Sequence, residues 1–182
     1  MQKIEPVVDF DALFIPDAPQ TISYIIPALA TEGVLAHRKT GAQNTEPLLL
    51  LGASSWNNAL LASRGGRNLD NAVFVDDIDL SEPALQAHPL VEFFKQKIDS
   101  QPSTIEVQAF NAASILKQFY SSSDTQLKQG LASVLAQGTP FKGLEKTISF
   151  NSQGDSLSAL YWFTFKEGKI ESFVPELNSL LR

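Results

Sequence analysis

Short apolar runs that end in polar turns constrain the fold of this chain more than any other feature of its sequence. One run covers residues 10–15 and ends at Pro16-Asp17, a second covers residues 48–51 and ends at Gly52, and a third covers residues 72–75. Short aromatic and branched runs bounded by turn residues are typical of buried strands. The first two junctions are of the kind that builds ligand crevices in open α/β sheets.

Helical periodicity lies between and after these runs. A helix over residues 19–31, with a kink at Pro27, is predicted from four apolar residues at helical spacing: Ile22, Ile25, Ile26 and Leu29. Residues 37–46 are polar and predict a loop.

Three further helices are predicted in the second half of the chain. The first begins at Pro89, which suits a first helical position, and the third begins at Asp124, a good N-cap residue. The predicted inward faces are Leu90, Phe93, Phe94 and Ile98 in the first, Ile105, Ala109, Ala112, Ala113, Leu116 and Tyr120 in the second, and Leu127, Leu131, Val134 and Leu135 in the third.

The last part of the chain changes to strands. Residues 147–150 predict a short strand, and residues 157–166 and 169–174 predict a hairpin around Glu167-Gly168. Strands that alternate with helices imply a parallel sheet. We therefore predict an α/β fold, with a parallel sheet, helices on both of its faces and a C-terminal β-hairpin.

Composition excludes several classes of function. The chain has 182 residues, a net charge of −6 and no cysteine, so thiolate metal sites, thiol catalysis and disulfides are excluded. Lysine and arginine are scattered, so no nucleic-acid partner is predicted. No apolar run approaches the ~18 residues of a membrane span. No cofactor is predicted.

The turn that follows the second run holds the candidate binding residues. Ser54, Ser55, Trp56 and Asn57 place an aromatic ring among hydrogen-bonding groups directly after a strand, and Asp17 follows the first strand. Such a combination is typical of a ligand crevice. These five residues are the predicted ligand-binding set.

The sequence supports a catalytic role for the same turn less well than a binding role. The nucleophile elbow of serine hydrolases has the pattern G-x-S-x-G, and here Trp56 replaces its final glycine. A hydrolase using Ser54 or Ser55 would need His88, whose place before Pro89 suggests an exposed residue at a helix start. We predict no catalytic residue and keep a small α/β serine hydrolase as an alternative.

Three carboxylates follow the third run. Asp76, Asp77 and Asp79 could in principle bind a divalent cation, but the glycine and terminal glutamate of a calcium loop are missing. A solvated acidic turn is the predicted structure, and no metal site is predicted.

The ordered set of segments resembles the second half of the type I periplasmic binding protein fold. This fold occurs in branched-chain amino-acid binding proteins and in penicillin-binding protein activator lipoproteins. The segments that carry the resemblance are Asp11 to Ile15 with Pro16-Asp17, Leu51-Gly52 with Ser54 to Asn57, Asn71 to Val75, Ala109-Phe110-Asn111-Ala112-Ala113, and Phe141-Lys-Gly143 through Phe150 to Gly154-Asp155.

The resemblance implies an organisation for the chain. Residues 1–182 form one α/β unit, with second-lobe-like βα repeats over 1–104, first-lobe-like helices and a strand over 105–150, and a returning hairpin over 151–182. The whole fold needs about twice this length. A homodimer, strand exchange or completion by a missing N-terminal half is therefore expected.

The resemblance also implies which ligands fit. In the amino-acid binders an acidic side chain meets the ligand ammonium where this chain has Ser54, and an aromatic shelf stands where it has Ala18-Pro19. Loss of the carboxylate removes a charge-assisted hydrogen bond. Phe110-Asn111 replaces a Tyr-Asp pair as well. These departures favour the activator branch of the fold over an α-amino-acid binder.

These arguments predict a non-catalytic domain of a bacterial envelope protein. Its partner is a protein, such as a peptidoglycan synthase, or a small polar ligand. The alternative within the same fold is the solute-binding component of an ABC uptake system. The expected location is the periplasm or an outer-membrane lipoprotein anchor, with an export signal outside this chain, and a cytoplasmic location is the alternative.

Overall fold

The structure is a computed structural model that describes residues 10–34 and 48–175. The predicted loop over residues 37–46 lies outside the described residues. The strands are β1 (Ala12–Phe14), β2 (Leu49–Gly52), β3 (Val73–Asp76), β4 (Phe141–Lys142), β5 (Thr147–Ile148), β6 (Tyr161–Lys166) and β7 (Lys169–Phe173). The helices are α1 (Pro19–Thr31), α2 (Ala59–Gly65), α3 (Pro83–Gln86), α4 (Pro89–Lys97), α5 (Thr104–Tyr120), α6 (Asp124–Gln129) and α7 (Leu131–Ala136).

The chain divides into two compact units. The first unit consists of Met1–Asp77 and Leu160–Arg182, and the second consists of Ile78–Ala159. The first unit is thus made of two separate stretches of chain. The organisation predicted from the sequence, one α/β unit with changes of character at residues 104 and 150, stays a prediction.

The first unit is built on a five-stranded sheet with the order β1-β2-β3-β6-β7. β1, β2 and β3 are parallel, whereas β6 and β7 are antiparallel to their neighbours. In the register of β3 and β6, Asp76 lies opposite Tyr161. The predicted α/β class and C-terminal hairpin are confirmed.

Aromatic and aliphatic side chains fill the core of the first unit. Phe74 stacks on Phe163 with ring centroids 5.2 Å apart, and Ile22 and Ile26 of α1 complete the same cluster. α1 runs from Pro19 to Thr31 as predicted, and the helix continues through Pro27. Pro27 is exposed, so its missing N–H does not lie in the core.

The hairpin between β6 and β7 has the two-residue turn expected from its sequence. Glu167 and Gly168 both have positive φ, at 50° and 74°. Positive φ at both turn residues is the mark of a type I′ turn, whose twist matches that of paired strands. The backbone N–H of Glu167 also donates to Asp70 Oδ1 at 2.8 Å.

The second unit contains α3 to α7 and the two-stranded sheet β4-β5. The predicted inward faces of its helices are partly wrong. In α4 the buried residue is Val91, whereas Phe93 and Ile98 are exposed. In α5 the buried residues are Val107, Asn111, Ile115 and Phe119.

The error in α5 has a physical cause. Both sides of this helix carry apolar residues, so periodicity does not decide which side packs. Polar contacts to the β4 region decide it: Asn111 Oδ1 accepts from the Leu144 N–H at 2.8 Å, and Gln118 and Ser114 donate to the Lys142 carbonyl. The predicted face from Ile105 to Tyr120 therefore lies at the surface.

The helix predicted from Asp124 is two helices. Gly130, with φ of 83°, separates α6 from α7. Leu127 is exposed, and Val134 is the residue that is buried. A positive φ is incompatible with a continuous right-handed helix, and glycine adopts it without steric cost.

Within residues 10–34 and 48–175, no helix combines the length and the apolar character that a membrane crossing requires.

Candidate functional site

The carboxyl ends of β1, β2 and β3 meet at one edge of the first unit's sheet, because these three strands are parallel. Asp17 follows β1, the turn over residues 54–57 follows β2, and Asp76 is the last residue of β3. In open α/β sheets, ligands bind at this edge. The sheet thus brings the five predicted residues and Asp76 to one edge.

The turn after β2 is tied to the end of β1 by two hydrogen bonds. Ser55 Oγ donates to the Asp17 carbonyl at 2.7 Å, and Trp56 Nε1 donates to the Ile15 carbonyl at 3.1 Å. These bonds join residues about 40 positions apart in sequence. They hold the turn close to the first strand.

Trp56 belongs to the core. Its exposed fraction is 0%, and its ring lies 6.1 Å from that of Phe165. A Cβ added to Gly52 would lie 2.1 Å from the indole, so only glycine allows this packing. In this structure the buried ring of Trp56 supports the turn.

Asn57 and Asp76 connect β2 to β3. Asn57 Nδ2 donates to Asp76 Oδ2 at 2.9 Å, and the Asp77 N–H donates to Asp76 Oδ1 at 2.8 Å. Asp76 is only 2% exposed. Burial raises the pKa of this carboxyl from 3.8 to about 6, although the hydrogen bond from Asn57 acts in the opposite direction.

The prediction of a solvated acidic turn is therefore wrong. Asp76 and Asp79 are both buried. Asp79 Oδ1 accepts from the N–H and the hydroxyl of Ser81, and the bond from the N–H forms an Asx turn. Each of these two carboxylates has hydrogen-bond donors in place of water.

Asp76 and Tyr161 are the residues that sequence reasoning missed at this edge. A signal for Asp76 was available: Phe74 and Asp76 are two residues apart in a strand, and therefore lie on the same, buried face. Tyr161 had no such signal, because only the antiparallel register of β6 places it opposite Asp76.

The remaining predicted residues differ in exposure. Asp17 and Ser54 are exposed, whereas Ser55 and Asn57 are half-buried. Asp17 Oδ1 accepts from the Ala18 N–H just before α1. That Asp17, Ser54, Ser55, Trp56 and Asn57 bind a ligand stays a prediction.

The described residues offer little for catalysis. The Ser55 hydroxyl donates a hydrogen bond to the Asp17 carbonyl oxygen, and a carbonyl oxygen cannot act as a general base. His88 Nδ1 accepts from the Leu90 N–H at the start of α4, and its ring contacts the Phe110 ring edge-on at 5.3 Å. In the described ranges no three His, Cys, Asp or Glu residues lie close enough together to hold a metal ion.

No protein-family profile and no curated protein matches the sequence. Solved structures do match. The leucine-binding protein LivK of Thermotoga maritima aligns with a TM-score of 0.65 and 16% identity over 90% of this chain and 44% of its own. The substrate-binding protein LivJ of Streptococcus pneumoniae aligns with a TM-score of 0.65 and 16% identity over 92% of this chain and 46% of its own.

The chain has part of the type I periplasmic binding protein fold. It spans less than half the length of the LivK and LivJ structures that it matches. A solute-binding protein of R. palustris in complex with benzoate aligns with a TM-score of 0.63 and 15% identity, over 90% of this chain and 42% of its own. Haemophilus influenzae LpoA aligns with a TM-score of 0.43, which is too low to bear on function.

Proposed function

We propose that the chain is a non-catalytic binding domain whose site is the carboxyl edge of β1, β2 and β3. The observation that supports this proposal is the turn over residues 54–57. Hydrogen bonds tie the turn to the end of β1 on one side and to Asp76 on the other, while Ser54 stays exposed. A fixed polar turn at this edge is what a preformed binding site needs.

The chemistry of the exposed groups disfavours an α-amino acid as ligand. Ser54 offers a hydroxyl where the resemblance places the carboxylate that meets an ammonium. Without that carboxylate, the ligand would lose a charge-assisted hydrogen bond. Asp17 is exposed to water, where its attraction for a cation is weaker.

A protein is therefore the proposed partner. Phe10 precedes β1 and Phe14 is its last residue; both are exposed, Phe14 by 58%. Among the described residues β1 pairs with β2 alone, so none of these residues pairs with its other edge, where a strand from another polypeptide would add to the sheet. The resemblance to activator lipoproteins suggests a peptidoglycan synthase as that partner, in the periplasm or at the outer membrane.

Solute binding for an ABC uptake system is the second candidate. Its support is that matched structures are substrate-binding proteins, one holding isoleucine and another holding benzoate. A solute bound at the same edge would contact the same turn. The two candidates therefore share a site and differ in what occupies it.

A thermal-shift experiment with leucine, isoleucine and benzoate separates the candidates. A solute that binds should stabilise the chain by about 2.7 kcal/mol at 100 times its dissociation constant. For the protein-binding role, none of the three should raise the melting temperature. A purified peptidoglycan synthase should instead bind the chain on a biosensor.

A pair of variants then locates the site. Ser54→Arg places a long charged side chain at the edge and should abolish whichever binding is found. Ser63→Arg is the matched control, because Ser63 is also an exposed serine of the first unit but lies in α2. Equal binding by both variants and the parent chain would show that the edge is not the site.

A further inference from the structure

The two edges of the first unit's sheet differ in the charges that their strands carry. β7, at one edge, has the exposed residues Lys169 and Glu171, and the Glu171 carboxylate lies 3.6 Å from the Lys166 ammonium. Charged side chains, lysine above all, are a common means by which an edge strand resists pairing with another chain. β1, at the other edge, has the sequence Ala-Leu-Phe and no charged residue. β1 is therefore the edge strand without this protection.

The backbone of β1 has groups that point away from its neighbour β2. The Asp11 carbonyl and the Ile15 N–H each form a 2.9 Å hydrogen bond with β2. The backbone groups of successive residues in a strand point to alternate sides, so those of Ala12 and Phe14 point away from β2. Within residues 10–34 and 48–175, no backbone group forms a hydrogen bond on that side. An added strand pairs with N–H and C=O groups of this kind.

Apolar side chains accompany these backbone groups. Ala12 and Phe14 lie on one face of the sheet, because they are two residues apart in a strand. Both are exposed, Phe14 by 58%, and Phe10, two residues before Ala12, is 44% exposed. A strand added beside β1 with an apolar side chain on this face would cover part of that surface, and the burial of apolar surface favours association.

The charged residues of β1 and α1 and of the turns beside them are all acidic. Residues 10–34 contain three carboxylates and no lysine or arginine. The three are Asp11, Asp17 and Glu32, and each is exposed. Asp17 Oδ1 accepts from the Ala18 N–H, but this donor is neutral and does not compensate the charge. The surface beside β1 thus complements a basic segment and repels an acidic one.

We propose that β1 pairs with a strand of the partner protein, and that this strand is alternately apolar and flanked by lysine or arginine. Main-chain hydrogen bonds to Ala12 and Phe14 supply the affinity, and the exposed side chains of these residues favour apolar neighbours. The carboxylates of Asp11 and Asp17 select the basic flanks. Such pairing rests on the proposed protein-binding function of the domain.

Fluorescence anisotropy with two labelled peptides tests the proposal. One peptide has the sequence Lys-Val-Thr-Val-Thr-Val-Lys, and the other has glutamate in place of both lysines. Alternating valine and threonine favour an extended chain in both peptides. The parent chain should bind the lysine peptide, and should bind the glutamate peptide several-fold more weakly. This preference should fall as salt is added, because the carboxylates are exposed.

A proline in β1 tests pairing through the backbone. Ala12→Pro removes an N–H that points away from β2, and proline is tolerated as the first residue of a strand. This variant should bind the lysine peptide about tenfold more weakly, since a hydrogen bond is lost and the ring obstructs the approaching strand. Ala12→Val is the matched control, because it keeps the N–H, and it should bind like the parent. Circular dichroism melts of both variants establish that the chain stays folded.

A charge reversal tests the selection of basic flanks without a proline. Asp11→Lys should reduce the preference for the lysine peptide several-fold. Glu167→Lys is the matched control, because it changes the net charge equally at an exposed residue beside β7, and it should leave the preference unchanged. An unchanged preference in Asp11→Lys would contradict the role of charge.

Failure of strand pairing and failure of the proposed function give different results. No binding of the lysine peptide by the parent chain, or equal binding by Ala12→Pro, would overturn pairing at β1. Neither result bears on the carboxyl edge of the sheet, whose role is tested separately by the binding of a peptidoglycan synthase to Ser54→Arg.

Discussion

At the scale of single residues, Gly52 and Trp56 together determine the shape of the candidate site. Gly52 ends β2, and the indole of Trp56 occupies the space where any other residue would place a Cβ. Trp56 also donates to the Ile15 carbonyl at the end of β1. The turn that carries Ser54 and Ser55 is therefore built on a buried glycine–tryptophan contact.

Gly52→Ala should lower the free energy of unfolding by about 1–3 kcal/mol, since the added methyl group overpacks the indole. Trp56→Leu removes the atoms that would clash, although it also removes a hydrogen bond and a large buried ring. The double variant should therefore cost less than the sum of the two single ones. Urea unfolding of all four proteins measures this coupling, and simple additivity would contradict the contact.

Asp76 should make stability depend on pH. The pKa of its carboxyl is raised from 3.8 to about 6 in the folded chain, so the folded state holds a proton that the unfolded state has lost between these values. Stability from this group should be full below pH 3.8, fall as the pH rises, and reach a plateau roughly 3 kcal/mol lower above about pH 6.

Asp76→Asn keeps an oxygen that can accept from Asn57 and carries no charge. The fall in stability with rising pH should therefore disappear in this variant. Urea unfolding of parent and variant across this pH range measures the difference between them, which removes the contribution of other carboxyl groups. Parallel pH profiles for the two proteins would show that Asp76 is charged and well solvated.

At the scale of elements, the hairpin of β6 and β7 shows local sequence determining local structure. Residues 167 and 168 both need positive φ, and glycine meets this need better than glutamate. Gly168→Ala should destabilise the chain by about 1–2 kcal/mol. The nearest atom to the added methyl group, the Ala62 carbonyl oxygen, lies at an ordinary 3.6 Å, so the cost comes from the backbone alone.

Glu167→Asn should have the opposite effect, because asparagine tolerates positive φ better than glutamate does. Thermal melts of the two variants should move in opposite directions from the parent. A shift of both in the same direction would argue against the type I′ turn.

At the scale of the whole molecule, the chain has two compact units with separate hydrophobic clusters. Trp56, Phe74 and Phe163 belong to the cluster of the first unit, whereas Ile78, Leu85 and Val107 belong to a cluster of the second. Separate cores can unfold at different denaturant concentrations. Both tryptophans of the chain, Trp56 and Trp162, lie in the first unit.

Tryptophan fluorescence should therefore report unfolding of the first unit, while far-UV circular dichroism reports both. The two urea transitions should not coincide. Phe74→Ala should lower the free energy of unfolding of the first unit, measured by fluorescence, by about 3–5 kcal/mol. Leu85→Ala should lower that of the second unit by about 2–5 kcal/mol. Coincident transitions that both variants shift equally would mean that the units unfold as one.

Local patterns in the sequence predicted every strand except β4, the α1 boundaries and the hairpin, because each depends on residues that are neighbours along the chain. Strand positions and the positive φ at Gly168 have local causes. The sheet edge that gathers Asp17 and Ser54 could also be predicted, since parallel strands must align their carboxyl ends.

Only the tertiary structure decided which side of α5 packs, which side chain meets Asp76 and where Trp56 points. Each of these depends on what lies opposite the side chain in space. Both sides of α5 carry apolar residues, and the buried side is the one whose Asn111 and Gln118 form hydrogen bonds with the β4 region. Asp76 is the last residue of β3, and its partner Asn57, 19 residues earlier, meets it only when β2 and β3 align.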